Sequence, residues 1–187
     1  MQIVQAPQEV LAKKAEQIKK IDKHILEFIG KMKETLLAAK DPEGVGLAAP
    51  QVGKSLQIFI VKPTAKDPIT VYINPHLTIP NSEKKELLKK SANKTGTEED
   101  VQLEGCLSLK DIWGTVARAP EVMIEYLDEE GKKQKEEAHG FLATILQHEY
   151  DHLQGILFPR RVLEQKSKLY KSRKDEKGED IFEEIKL

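Results

Sequence analysis

The sequence predicts one domain that mixes helices with β-strands, on three observations. Apolar residues recur at helical spacing from Ile25 to Ala39. Gln57 to Val61 and Val71 to Ile73 are short runs rich in β-branched residues, and residues 123–127 and 132–137 flank Asp128-Glu129-Glu130-Gly131 as the arms of a hairpin. A further helix enters at Gly140. It is apolar on nearly every face through Phe141, Leu142, Ala143, Thr144, Ile145 and Leu146, and then carries His148-Glu149-Tyr150-Asp151-His152.

A chain of 187 residues is long enough for one domain with a sizeable core. The formal net charge is -1, which gives no electrostatic footprint for nucleic acid, so no direct nucleic-acid binding is expected. No apolar run approaches the roughly 18 residues that cross a bilayer. Met1-Gln2-Ile3-Val4-Gln5-Ala6-Pro7 has neither the basic nor the apolar segment of a secretory leader. No membrane association and a cytoplasmic location are therefore expected. Cys106 is the one cysteine, which rules out an intrachain disulfide and agrees with a reducing compartment.

In chain order, residues 1–21 read as an extended arm with a short apolar segment at Val10 and Leu11. Asp22 can cap the helix whose inward face is Ile25, Phe28, Ile29, Met32, Leu36 and Ala39, and Asp41-Pro42 ends it. Gly44 to Gly53 holds three glycines and a proline and reads as a shaped loop. About residues 81–100, Lys84, Lys85, Lys89, Lys90 and Lys94 stand against Glu83, Glu86, Glu98, Glu99 and Asp100. The charges cancel and apolar content is slight, so this reads as an exposed, mobile insertion. About residues 164–187 read as a polar tail, basic before Lys177 and acidic after it. Val162, Leu163, Leu169 and Tyr170 can form a short helix with one apolar face there. No internal repeat and no second domain are seen.

His148-Glu149-Tyr150-Asp151-His152 reads H-E-x-x-H. Positions i and i+4 share a helix face, so two imidazoles can bind one metal ion, and the intervening Glu can act on a metal-bound water. A catalytic site of this kind normally has three protein ligands and one open position. Gly155 matches the glycine of the longer H-E-x-x-H-x-x-G-x-x-H pattern, but Phe158 stands at its last position. Glu176, Glu179, Glu183 and Glu184 are available downstream in the polar tail. Cys106, within Gln102-Leu103-Glu104-Gly105-Cys106-Leu107-Ser108-Leu109, can supply a thiolate for zinc or ferrous iron. On composition alone a lone cysteine reads more readily as a small buried apolar side chain. On residues alone the third ligand stays open.

Three segments, in this order, resemble those of the peptide deformylase family: Gly44-Val45-Gly46-Leu47-Ala48-Ala49-Pro50-Gln51, Glu104-Gly105-Cys106-Leu107-Ser108, and Gln147-His148-Glu149-Tyr150-Asp151-His152-Leu153. Pro7, Val10, Leu11 and Ala15 are similar to the family's N-terminal segment, and the resemblance covers about residues 3–79 and 101–163. It implies an α+β fold, with antiparallel β-sheets packed around a central helix carrying H-E-x-x-H. It also implies Cys106, His148 and His152 as metal ligands and Glu149 as general acid/base. The ion would be one divalent metal, Fe2+ in the cell, with Zn2+, Ni2+ or Co2+ accepted. The substrates would be N-formylmethionyl nascent peptides, deformylated with release of formate; a transient contact with the ribosome is compatible with that.

In the mechanism this implies, a metal held by these residues would lower the pKa of a water from about 16 towards 7. Glu149 takes its proton and later returns one to the departing amine. Charge growing on the formyl oxygen meets the side-chain amide of Gln51 and the backbone N–H of Leu107. Gly44 and Gly46 would let the loop run alongside an extended peptide. Val45, Leu107 and Ile145 would line the methionine pocket, and Arg118 would pair with Glu104 to fix the loop bearing Cys106. Two features depart from the family: the long charged stretch at 81–100, and Trp113, where many relatives carry a smaller or charged residue near the substrate cleft. The rival readings are a general H-E-x-x-H metallopeptidase using a Glu of the tail, and a structural metal module closed by four ligands. Neither Asp151, which faces away from His148 and His152, nor His139 is placed to be that fourth ligand.

Overall fold

The computed structural model describes residues 1–40, 43–80, 103–176 and 178–186. The charged stretch expected at 81–100 and the helix-ending Asp41-Pro42 lie outside the described residues. Helix α1, Lys23–Ala38, starts where Asp22 predicts: its Oδ1 accepts the backbone N–H of Ile25 at 3.1 Å. Ile29, Met32 and Leu36 are buried on its inward face.

A five-stranded antiparallel sheet runs β1 (Gly46–Ala48), β2 (Ile58–Val61), β3 (Thr70–Thr78), β6 (Glu121–Leu127), β7 (Lys133–His139), in that spatial order. Alternation along β2 decides its packing. Ile58 and Ile60 pack with Leu47, Val71, Ile73 and the inward face of α1. Phe59 and Val61 pack with Ala48, Tyr72, Val122 and Ile124 against Ala143, Ile145, Leu146 and Leu153. Those four residues belong to α2, Gly140–Leu153. A strand covered on both faces needs a continuous apolar run, and Ile58-Phe59-Ile60-Val61 supplies it.

The second sheet has the order β4 (Leu103–Cys106), β5 (Leu109–Thr115), β8 (Leu169–Lys174), β9 (Asp180–Ile185), again antiparallel. Its core joins Cys106, Val116 and Leu169 to Phe158 and Val162 of α3, Phe158–Gln165.

The short helix expected through Val162, Leu163, Leu169 and Tyr170 is corrected here. Val162 and Leu163 are helical, but α3 ends at Lys166, whose φ of 54° breaks the helix. Leu169 and Tyr170 lie in β8, paired to Gly114 and Trp113 of β5. Strands β8 and β9 thus extend the second sheet as an antiparallel pair. The two sheets and the helices make the α+β architecture expected. Among the described residues, no helix is long and apolar enough to cross a membrane.

Candidate metal centre and active site

Cys106 closes β4 and the two histidines lie one turn apart on α2, so residues distant in sequence meet at one point. The ligand atoms of Cys106, His148 and His152 all lie within 4.8 Å of one another. Cys106 Sγ is 3.3 Å from His152 Nε2, and the imidazole rings are 5.0 Å apart at 73°. Cys106 and His152 are buried; the His148 side chain keeps 11% of its exposure. The tail carboxylates offered as alternatives are elsewhere: Glu183 pairs with Arg173 at 2.6 Å and Glu184 with Lys168 at 3.2 Å, on the exposed β8–β9 hairpin.

Each imidazole is prepared differently. His148 Nδ1 lies 3.0 Å from Glu104 Oε2, which leaves Nε2 for the cation. Burial disfavours charge on His148, but Cys106 and Glu104 outweigh it and draw the ring towards protonation; a bound cation would displace that proton. At His152 burial, then the charges of His148 and Arg118, all favour the neutral ring that a metal ligand must be. Among the described residues its Nδ1 is buried without a partner, as is Glu149 Oε2. A thiol and two imidazoles converging here, beside an unpartnered carboxylate, fit a divalent cation with one side open.

Glu104 is itself held. Arg118 grips it with two hydrogen bonds, Nε to Oε1 at 2.8 Å and Nη2 to Oε2 at 2.9 Å, so the pair expected from sequence is present. The third guanidinium nitrogen, Nη1, donates to Asp151 Oδ2 at 2.6 Å, and Arg161 Nη2 donates to Asp151 Oδ1 at 2.6 Å. Asp151 is not grouped with the three ligand atoms; it is held by Arg118 and Arg161, and the chain His148–Glu104–Arg118–Asp151–Arg161 ties it to the site from behind Glu104. Arg161 was not recognised in the sequence; nor was Gln147, whose side chain accepts the N–H of Ala119 at 3.0 Å and donates to its carbonyl at 2.9 Å.

Burial alone would raise the Glu104 carboxyl, but hydrogen bonds from Arg118 and His148 reverse that and hold it at about 2, against an ordinary 4.5. A carboxyl depressed on folding stabilises the native state above its unfolded pKa, and that stability is lost as pH falls through the folded value. The chelator-treated protein is therefore expected to lose about 3 kcal/mol from this group between pH 4.5 and 2. Urea unfolding across that range, with Glu104→Gln as reference, checks it: equal pH slopes in the two proteins would contradict the assignment.

Glu149 is 3% exposed, and burial pushes its carboxyl up to about 7, with His148 pulling the other way. Space for it comes from Gly46. A Cβ on Gly46 would stand 2.7 Å from Glu149 Cδ. The sequence reading gave the missing side chain of Gly46 to the approach of a peptide; the Glu149 carboxylate also occupies that space.

Gln51, 1% exposed, accepts the N–H of Ala48 on Oε1 at 2.8 Å and donates from Nε2 to Cys106 Sγ at 3.4 Å. The N-terminal arm ties its loop to that of Leu107. Val4 N–H donates to the Gln51 carbonyl, Gln5 Nε2 to the Leu107 carbonyl and Ala6 N–H to the Ser108 carbonyl, each at 2.9 Å. A cavity of about 230 Å³ opens beside these groups. Gly44, Val45, Gly46, Gln51, Leu107, Ile145 and Glu149 line it, with Cys106 and His148. Ile145 is both wall and core, being 3% exposed.

The family model for polypeptide deformylase matches residues 1–168. The chain belongs to the polypeptide deformylase family. A peptide deformylase of Desulfitobacterium hafniense is 40% identical over 157 residues, 84% of this chain and 91% of the relative. That of Pseudothermotoga lettingae is 38% identical over 152 residues, 80% and 75% of the two chains. Among solved structures, peptide deformylase from Thermotoga maritima superposes with a TM-score of 0.69 at 31% identity, covering 86% of this chain and 95% of that one. The Synechococcus elongatus enzyme in complex with actinonin gives 0.69 at 33%, covering 88% and 81%. The family is one of metal-dependent hydrolases. Its three segments, scattered over more than a hundred residues of sequence, all contribute to the lining of a single cavity.

Proposed function

We propose that this deformylase, read as a single catalytic domain, works through Cys106, His148 and His152 as ligands of one divalent metal, with Glu149 as general acid/base. The enzyme removes the N-formyl group from nascent formylmethionyl peptides. The observation that carries the residue assignment is the meeting of the Cys106 sulfur with both imidazoles beside an unpartnered Glu149 carboxylate. A thiolate with two imidazoles suits Fe2+, which we take as the native ion, and also Zn2+, Ni2+ or Co2+. When bound, the ion supplies an acidified water and polarises the formyl oxygen.

The chain's own residues do the rest. Glu149 receives the proton of the attacking water and delivers one to the amine nitrogen that leaves. Gln51 Nε2 has one hydrogen on Cys106 Sγ and a second for the formyl oxygen, beside the backbone N–H of Leu107. Val45 and Ile145 receive the methionine side chain. Strand β1 forms an edge of its sheet, which supports a reading in which the backbone at Gly46, and at Gly44 just before the strand, runs beside an extended peptide. A cytoplasmic location and a transient contact with the ribosome belong to the same reading, since the substrates emerge there.

The decisive assay compares formate release from formyl-Met-Ala-Ser with acetate release from its acetylated counterpart, using protein purified anaerobically to spare a ferrous ion and Cys106. Formate release without peptide-bond cleavage is expected; cleavage of the Met-Ala bond would restore the metallopeptidase alternative, which the family assignment disfavours.

Two substitutions probe the assignment. Gln51→Ala should lower kcat by about 10²–10³ with metal content retained, the loss typical of one oxyanion donor. Loss of metal instead would make Gln51 a support for Cys106 only. Gly46→Ala drives a methyl into the Glu149 carboxylate. A displacement of about 1 Å there should lower kcat roughly 10²-fold. Unaltered kcat would mean that Glu149 does not act from this position.

A further inference from the structure

Trp113 is the single tryptophan of the chain, and it lines two cavities. One is the cavity of the active site; the other, of about 460 Å³, shares with it Gly105, Cys106, Leu107 and Trp113. The two cavities are thus adjacent, and a peptide whose formyl end is at Cys106 and whose chain continues past Trp113 would meet the second. The indole is fixed from both sides. Trp113 pairs with Gly105 across β4 and β5, and its ring lies over that glycine so closely that a Cβ there would meet ring carbon at 2.8 Å. On the other side, Nε1–H donates to Ser172 Oγ at 3.1 Å, and the ring meets Phe182 edge-on at 5.7 Å. Ser172 and Phe182 belong to the β8–β9 hairpin, which follows the last residue matched by the family model. The bracing of Trp113 is therefore a feature of this chain's own C-terminal segment. Phe141 lines the active-site cavity as well, with 47% of its surface exposed.

A rigid, half-buried aromatic face beside the exit of a peptide cleft gains contact area at little conformational cost, and it favours apolar over charged neighbours. We propose that Trp113, held by Ser172 and Phe182, is a specificity-determining residue that selects formylmethionyl peptides with an aromatic or large apolar side chain at the second or third position. This rests on the deformylase reading of the site.

The test measures kcat/KM for formate release from formyl-Met-Xaa-Ser and formyl-Met-Ala-Xaa, with Xaa as Ala, Asp, Leu or Phe. The Phe and Leu peptides should exceed the Ala and Asp peptides by roughly tenfold at one of the two positions, the scale of discrimination by an apolar contact. In Trp113→Ala the Phe-to-Ala ratio should fall towards one, in Phe182→Ala it should fall in part, and in Trp113→Phe it should persist. A flat series in the wild type, or a preference that survives Trp113→Ala, overturns the proposal. Because the chain has one tryptophan, its emission offers a readout that needs no turnover. Titration with acetyl-Met-Phe-Ser should give a saturable change, and acetyl-Met-Asp-Ser a weaker one. That result without formate release from any peptide would retain the wall and reject the deformylase reading; formate release with no selectivity would do the reverse.

Discussion

Glu149→Gln is expected to lower kcat for formate release by about 10²–10⁴ while the protein keeps its metal, the range typical of a lost general acid/base. The amide matches the carboxylate in size, so the contact with Gly46 and the packing of α2 are kept. What disappears is the ability to take a proton. Position argues that this ability matters: the side chain is 3% exposed, Oε2 has no hydrogen-bond partner among the described residues, and it follows directly after His148 on the helix. A buried carboxylate without a partner destabilises a fold, and chains keep one where chemistry needs it. Burial brings the carboxyl to about 7, close to neutral pH, where a group both accepts and returns a proton effectively. Metal analysis beside the kinetics separates this from loss of the site: Cys106→Ser should lose metal and activity together, Glu149→Gln activity alone. Activity within tenfold of the wild type would remove Glu149 from the chemistry.

The parts of this molecule that repeat locally were legible in the sequence. Helix α1 announced itself through its 3.6-residue period and Asp22, and β2 and the β6–β7 hairpin through composition and a turn. H-E-x-x-H marked α2 because the motif and its spacing are contiguous. Cys106 was not decidable from its surroundings: a thiol in a short apolar segment becomes a ligand only when β4 is laid against α2, and it was the resemblance that pointed to it. The same holds for the Glu104–His148 contact, whose partners stand 44 residues apart. The C-terminal hairpin was missed for a different reason. Its strands are mostly exposed and charged, so no apolar alternation marks them. A signal was nevertheless present, in the shift from basic to acidic residues about Lys177. Folding that segment back on itself pairs Lys174 with Asp180 at 2.9 Å and Arg173 with Glu183, which is how cross-strand charges support an exposed hairpin.

Arg118→Ala is expected to destabilise the protein by about 3–5 kcal/mol, the scale for breaking a buried ion pair from one side. Arg118 has 8% side-chain exposure and sits between Glu104 at 7% and Asp151 at 8%. Its removal leaves two carboxylates with little water, and Arg161 reaches only the second. The result should extend to the metal. Glu104 orients His148 only while Arg118 fixes both of its oxygens, so the variant should bind metal about 10–100-fold more weakly, as when an outer support of a ligand is lost. Arg118→Lys keeps the charge but not the fork, and cannot serve Oε1 and Oε2 of Glu104 together with Asp151. It should recover only part of the stability. Combining Arg118→Met with Glu104→Gln and Asp151→Asn removes the stranded charges, and should be less destabilised than Arg118→Ala although three polar contacts are gone. Urea midpoints of the chelator-treated proteins give the stabilities, and metal titration gives the coupling. An Arg118→Ala protein within about 1 kcal/mol of the wild type would place this ion network outside the forces that hold the site together, at the level of an exposed surface pair.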